Sequence, residues 1–247
     1  MTLPFSQTAD LRPLFEPAGV VVAGASSHPG KFGFAVLHNI ITCGYQGRVF
    51  ATNRNGGELL GIECLTSVAE VPAGQADLVY VCVPAAAVAQ VLREAASVGI
   101  RAAFIASSGF GEGQDEQGAA HGLELATLAS ELGMVIAGPN GQGLVSTPVS
   151  LCAQFVGPFP PAGGVSIVSQ SGNLASGAMN YATASGVGVA RAISAGNATC
   201  LGVDDYIAWL ADDPATTTIL AYLEGVADAR RFYDTVKAAS ARKPVVV

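Results

Sequence analysis

Two turns rich in glycine and serine, each lying between an apolar run and a helix-length segment, hold most of the residues that could do chemistry. The first is Gly24-Ala25-Ser26-Ser27-His28-Pro29-Gly30-Lys31-Phe32-Gly33. Gly24 and Gly30 let main chain approach a ligand closely. The start of a helix offers unpaired N–H groups to an anion, and Lys31 adds a positive charge. A phosphate-bearing nucleotide is the natural guest. The spacing is neither GxGxxG, since Gly24-Ala25-Ser26 lacks the second glycine, nor GxxxxGK[ST], since Phe32 follows Lys31. A tight strand–helix turn with a solvated lysine accounts for the same residues. The second turn is Ser169-Gln170-Ser171-Gly172-Asn173-Leu174, where hydroxyls and N–H groups again favour an anion. Ser and Asn also serve as ordinary N-caps. Glu224 follows the apolar run Thr217 to Leu223, which puts a carboxylate at the carboxyl end of a strand. An exposed loop glutamate is the plainer reading.

The second apolar run of the chain ends in Ala51-Thr52-Asn53-Arg54-Asn55-Gly56-Gly57. An NAD site wants an acid there for the ribose hydroxyls, and none is present. Arg54 suits a nucleotide with an additional ribose phosphate, NADP or coenzyme A, or it is a solvated loop residue. The three histidines are His28, in the first turn and facing phosphate or solvent, and His38 and His121, read as structural or solvated.

These turns need strands and helices to aim them. Apolar runs at Gly19–Ala23, Gly47–Ala51, Asp77–Val83, Arg101–Ala106 and Met134–Ala137 read as parallel strands, buried on both faces. Helices are expected at Phe34–Thr42, Ala86–Val98 and Glu116–Leu132, with a small strand in Glu58–Cys64. A second series follows: strands at Val165–Val168, Gly188–Ile193, Thr217–Leu223 and Pro244–Val247, and helices at Asn173–Ala184, Val203–Ala211 and Ala227–Ala241. Strand alternating with helix implies right-handed crossovers. The Pro- and Gly-rich stretch Val156 to Gly164 reads as a break between two α/β domains, 1–145 and 164–247, with 146–163 as linker. The last strand stands at the end of the chain, so the second domain is expected to be incomplete.

Composition narrows the class. Half of the 247 residues are hydrophobic and 13% are charged, which excludes a disordered chain. A net charge of −7 speaks against nucleic acid as a partner. Five cysteines without CxxC or CxxH spacing argue against a zinc module or a disulfide framework, so no metal ligands are assigned and a reducing cytoplasm is expected. Met1 to Pro17 lacks the pattern of a signal peptide, and no membrane span is expected. So apolar a chain suggests faces buried in a homo-oligomer or hetero-oligomer.

In order, Gly24-Ala25-Ser26-Ser27 through Gly33, Thr52-Asn53, Val83-Pro84-Ala85, Ser107-Ser108-Gly109-Phe110, Gly138-Pro139-Asn140 and Ser169-Gln170-Ser171-Gly172 resemble the NDP-forming acyl-CoA synthetases and the succinyl-CoA synthetase alpha subunit. The resemblance spans essentially the whole chain. It implies a Rossmann-like CoA-binding domain followed by a flavodoxin-like domain. By that likeness Gly24, Ser26, Ser27, Pro29, Gly30, Lys31, Phe32 and Gly33 hold the CoA diphosphate. Asn53, Arg54, Val83 and Pro84 flank the adenosine, and Ser107 and Ser108 lie near the pantetheine. A phosphohistidine docks at Ser171, Gly172 and Asn173, Asn140 helps shape the acyl site, and Glu224 orients the histidine. Many relatives carry Cys where this chain has Gly141, and Phe155 and the segment Ser146 to Val156 also border the acyl pocket. The implied reaction joins a small carboxylic acid to CoA, with nucleoside triphosphate consumed through a phosphohistidine and an acyl phosphate. The family histidine follows a Lys-Pro-Val-Val strand, and Lys243-Pro244-Val245-Val246-Val247 is where this chain stops. The chain is therefore expected to bind CoA but not to relay phosphate, with ATP and magnesium held by an ATP-grasp domain or subunit elsewhere. Two alternatives stay open: a non-catalytic CoA or acyl-CoA sensor, as in the regulatory module of some protein acetyltransferases, and an NADP-dependent oxidoreductase.

Overall fold

The computed structural model describes residues 9–113, 116–157 and 159–247. The readings that touch residues 1–8 and Pro158, at the N-terminus and in the expected linker, lie partly outside them. A one-turn helix α1 (Arg12–Phe15) leads into β1 (Gly19–Ala23), α2 (Phe32–Thr42), β2 (Arg48–Thr52), β3 (Glu58–Leu59), β4 (Ile62–Leu65), β5 (Leu78–Val81), α3 (Ala85–Ser97), β6 (Ala102–Ile105), α4 (Glu116–Leu132) and β7 (Val135–Ala137). Then come β8 (Gly143–Ser146), β9 (Leu151–Gln154), β10 (Ala162–Ser169), α5 (Gly172–Ala184), β11 (Val189–Ser194), α6 (Val203–Asp212), β12 (Thr218–Tyr222), α7 (Ala229–Ser240) and β13 (Val245–Val246).

The first sheet has the order β3-β4-β2-β1-β5-β6-β7. All its pairs are parallel except β3 with β4. Strands β1, β5 and β6 are buried along their whole length, which is why they read as unbroken apolar runs. Helix α3 buries only Val88, Leu92 and Ala95, one stripe at helical spacing. The strand order reverses direction between β1 and β5, so the loops after those two strands flank the crevice where doubly wound sheets bind ligands.

The second sheet has the order β13-β12-β10-β11-β8-β9. Its switch lies between β10 and β12, and α5 rises from it. Here the structure departs from the expected layout. Residues 143–154, assigned to the end of the first domain and to a linker, form the hairpin β8–β9, and β8 pairs antiparallel with β11. The second sheet therefore has six strands rather than four, and the first has seven rather than five plus a small strand. Pro148 sits in the short turn between β8 and β9, where it costs no ladder hydrogen bond.

The sheets share a core. One apolar cluster joins Leu11, the N-cap of α1, Leu14 and Phe15 of α1 and Val20 and Val22 of β1 to Leu144, Leu151, Val168 and Ile193 of the second sheet. Through this seam runs Arg191 of β11, 1% exposed. Its guanidinium bonds Asp213 at 3.3 Å, the Phe15 carbonyl at 3.3 Å, Glu16 and the Ser146 hydroxyl, and it lies 5.8 Å from the Trp209 ring centre. Burial alone would raise the Asp213 pKa, but hydrogen bonds from Arg191 and Thr216 outweigh it and hold it below the usual carboxylate value. Farther along, the Asn39 side chain of α2 donates to the Gln154 carbonyl of β9 at 2.8 Å. Among the described residues no helix is long and apolar enough to cross a membrane.

Candidate functional site

The first glycine turn leaves β1 with Gly24 at φ +86°, a region that side chains disfavour. A Cβ there would lie 2.7 Å from the Cys82 carbonyl oxygen, and one at Gly33 would strike the Gly24 carbonyl. Glycine at these two positions seats the start of α2 against the ends of β1 and β5. Inside the turn the Ser26 hydroxyl accepts from the His28 N–H at 3.1 Å, and His28 Nδ1 accepts from the Gly30 N–H at 3.0 Å. Ser27, Pro29, Gly30, Lys31 and Phe32 are exposed. No side chain caps α2; the Phe34 N–H bonds the Lys31 carbonyl at 3.1 Å, and among the described residues those of Phe32 and Gly33 stay open. The Lys31 side chain makes no hydrogen bond or ion pair with the described residues.

Beside it, the Asn53 side chain accepts from the Asn55 N–H at 2.7 Å and shapes the turn after β2. This leaves Arg54 exposed and unpaired among the described residues. Pro84 is the N-cap of α3, and the Val83 carbonyl accepts the Ser107 hydroxyl. The Ser107 carbonyl in turn accepts the Asn140 N–H at 2.9 Å. The loops after β1, β2, β5, β6 and β7 thus all emerge at the carboxyl edge of the first sheet, with the expected residues on them.

A cleft of about 330 Å³ opens between this edge and the second sheet. It is lined by Phe32, Ala106, Ser108, Asn140, Gly141 and Gln142 on one side and Phe155, Ser171, Gly172 and Asn173 on the other. The Phe32 and Phe155 rings stack across it, with centres 3.9 Å apart and planes 10° from parallel. The α5 start is capped by Ser171, whose hydroxyl accepts the Leu174 N–H at a long 3.5 Å. None of the lining residues carries a charge.

Gly141 has no room for a side chain. A Cβ would sit 2.5 Å from the Ser194 carbonyl oxygen and 2.6 Å from the Phe104 ring. The residue that organises the cleft is Gln142, which the motifs did not single out. Its main-chain N–H donates to the Ser194 hydroxyl at 3.1 Å, and its carbonyl accepts the Tyr80 hydroxyl at 3.1 Å. Its side chain accepts from Ser176 at 2.8 Å and donates to Asn173 at 3.3 Å. A polar side chain two places after Asn140, in a glycine-rich turn, is the signal that could have found it. Glu112 was missed as well. It accepts from the Gly109 N–H, from the Phe110 N–H at 2.8 Å and from Asn197 at 3.0 Å, and Asn197 accepts from Asn140 at 3.2 Å. Burial would raise its pKa, but these hydrogen bonds prevail and hold it low.

Glu224 is not in the cleft. It is exposed, and its loop is held by Gln170, whose side-chain oxygen accepts the N–H groups of Glu224 at 2.5 Å and Gly225 at 3.1 Å. The histidines stand apart from α5: His28 in the first turn, His38 on α2, and His121 on α4 with Nδ1 3.1 Å from the Gly109 carbonyl. Among the described residues no group of three His, Cys, Asp or Glu side chains could hold a metal ion.

Residues 19–147 match the family described as CoA binding domain, and residues 162–247 match the family described as succinyl-CoA ligase like flavodoxin domain. The chain is 38% identical to the alpha subunit of an ADP-forming acetate–CoA ligase I of Pyrococcus furiosus, over 96% of this chain and 52% of that one. It is 36% identical to a trans-feruloyl-CoA synthase of an unknown prokaryotic organism, over 95% of this chain and 34% of that one. The dinucleotide-forming acetyl-coenzyme A synthetase 1 of Ca. Korarchaeum cryptofilum, solved with phosphate and ADP, superposes with a TM-score of 0.89 at 35% identity, covering 96% of this chain and 50% of that one. The chain spans about half the length of the curated alpha subunit it matches.

Proposed function

The chain belongs to the CoA binding domain family, continued by a succinyl-CoA ligase like flavodoxin domain, and from that premise we propose that it is the CoA-binding portion of an NDP-forming acid–CoA ligase. The observation that carries this reading is the shared cleft. The carboxyl edge of the first sheet and the start of α5 face one another across it, which suits one ligand bound on the first side and an anion held on the second.

The first turn fits CoA. The uncapped start of α2 and the free Lys31 suit a diphosphate, and the free Arg54 suits the ribose phosphate. Asn53, Val83 and Pro84 would border the adenosine, and Ser107 and Ser108 the pantetheine. When bound, CoA supplies the thiol that receives the acyl group. On the other side, the start of α5 with Ser171 and Asn173 would hold the acid carboxylate or an arriving phosphate, while Gln142 fixes Asn173 and Ser176. Hydrogen-bond donors fixed in advance stabilise developing negative charge without reorganising.

The whole reaction also needs a histidine that carries phosphate and an ATP-grasp domain with magnesium. We assign both to a further segment or a partner subunit, with Glu224 as the residue awaiting that histidine. Isothermal titration of the chain with CoA and with NADPH tests the reading. Micromolar CoA binding without NADPH binding supports it, and NADPH binding without CoA binding overturns it.

A further inference from the structure

Kinship leaves the acid open, since one named relative acts on acetate and another makes feruloyl-CoA. The cleft itself narrows the choice. We infer that Phe32 and Phe155 are the residues that select the acid, and that they select a monocarboxylic acid with a flat apolar body larger than acetate. This rests on the ligase reading and deepens it.

Three observations carry it. The cleft holds about 330 Å³, so even with its Ser108 side given to the CoA thiol it leaves more room than the single methyl group of acetate fills once the carboxylate is placed at α5. The stacked rings make an apolar wall, and Phe32 is still 52% exposed, so part of its surface is open to contact. A third flat ring laid against that wall gains burial and stacking together. No lysine, arginine or histidine lines the cleft, and only helix N–H groups, amides and hydroxyls meet an anion there. They suit one carboxylate. A second would enter without a cation and lose its hydration uncompensated.

The pair is also built from both sides of the cleft. Phe32 opens α2, and Phe155 follows β9, the strand on which α2 packs. Any acid touching the wall therefore touches both sides of the cleft.

The test uses the full chain, with binding followed by ligand-observed NMR for acetate, phenylacetate and succinate, and by calorimetry for CoA. Phenylacetate should bind at least about tenfold more tightly than acetate, in line with what added apolar groups contribute in an apolar pocket. Succinate should bind more weakly than phenylacetate by at least as much. Phe155→Leu and the exposed Phe32→Ala should each reduce the preference for phenylacetate over acetate to within about threefold. Equal binding of acetate and phenylacetate by the unaltered chain overturns the inference. So does a preference that survives in both variants, or a loss of CoA affinity in them with the acid preference intact, which would make the wall a pantetheine contact. Absence of CoA binding in the unaltered chain overturns the ligase reading instead.

Discussion

The two strand–helix turns of this chain look alike in sequence and differ in what they offer an anion. The turn at Gly24–Gly33 is exposed from Ser27 to Phe32, no side chain caps its helix, and the side chains of Lys31 and Arg54 stand beside it unpaired among the described residues. The turn at Ser169–Asn173 is capped by its own Ser171, tied to Gln142, and faces a cleft without any charged side chain. The first suits a ligand with several permanent negative charges, drawn from solvent and held by cations. The second suits a single negative charge that arrives with an apolar body or develops during reaction. A helix N-terminus is thus a generic device, and its surroundings decide which anion it serves.

The comparison depends on the two edges facing each other, and breaking that arrangement should have the largest effect. Arg191→Met leaves Asp213 buried without its partner, so stability should fall by about 3–5 kcal/mol, read by urea denaturation. The Asp213 carboxyl is held below its ordinary value, so its contribution is present above the unfolded pKa of about 4 and is lost as pH falls through the folded value. The difference in melting temperature between the unaltered chain and Asp213→Asn should therefore be greatest near neutral pH and shrink below about pH 4.

Next comes charge. Replacing Lys31 and Arg54 together by Ala should weaken CoA binding by roughly 10- to 100-fold, as charge-assisted hydrogen bonds to phosphate are lost. Raising salt from about 0.05 M to about 0.5 M should weaken CoA binding more steeply than acid binding, since exposed charges are screened most. Equal salt slopes would erase the distinction between the two turns. The smallest effect is expected from Ser171→Ala, which removes a long cap bond and should cost about 0.5–1 kcal/mol in thermal stability.

Much of this was legible in the residues. Strands β1, β5 and β6 announce themselves because they are buried on both faces, and the glycine turns because only such residues fit at strand ends. The hairpin β8–β9 was not legible. Its strands are short, a proline lies between them, and their partner β11 is far along the chain, so local pattern pointed to a linker. The cleft was hidden for a related reason. Phe32 and Phe155 lie 123 positions apart in the sequence and meet only when α2 packs on β9. Gln142 shows in the sequence only as a polar residue in a glycine-rich turn two places after Asn140, and its partners Tyr80, Ser194, Asn173 and Ser176 are brought to it only by the fold. Glu224 was placed correctly at a strand end, but no pattern says that its loop hangs from Gln170.

We propose that CoA binds at the carboxyl edge of the first sheet. Hydrogen exchange of the full chain with and without CoA locates the site directly. Slowed exchange is expected in residues 24–33, 53–56 and 107–109, where the open N–H groups and the flanking turns lie. Slowed exchange confined to residues 196–205 and 224–228, at the edge of the second sheet, would contradict it.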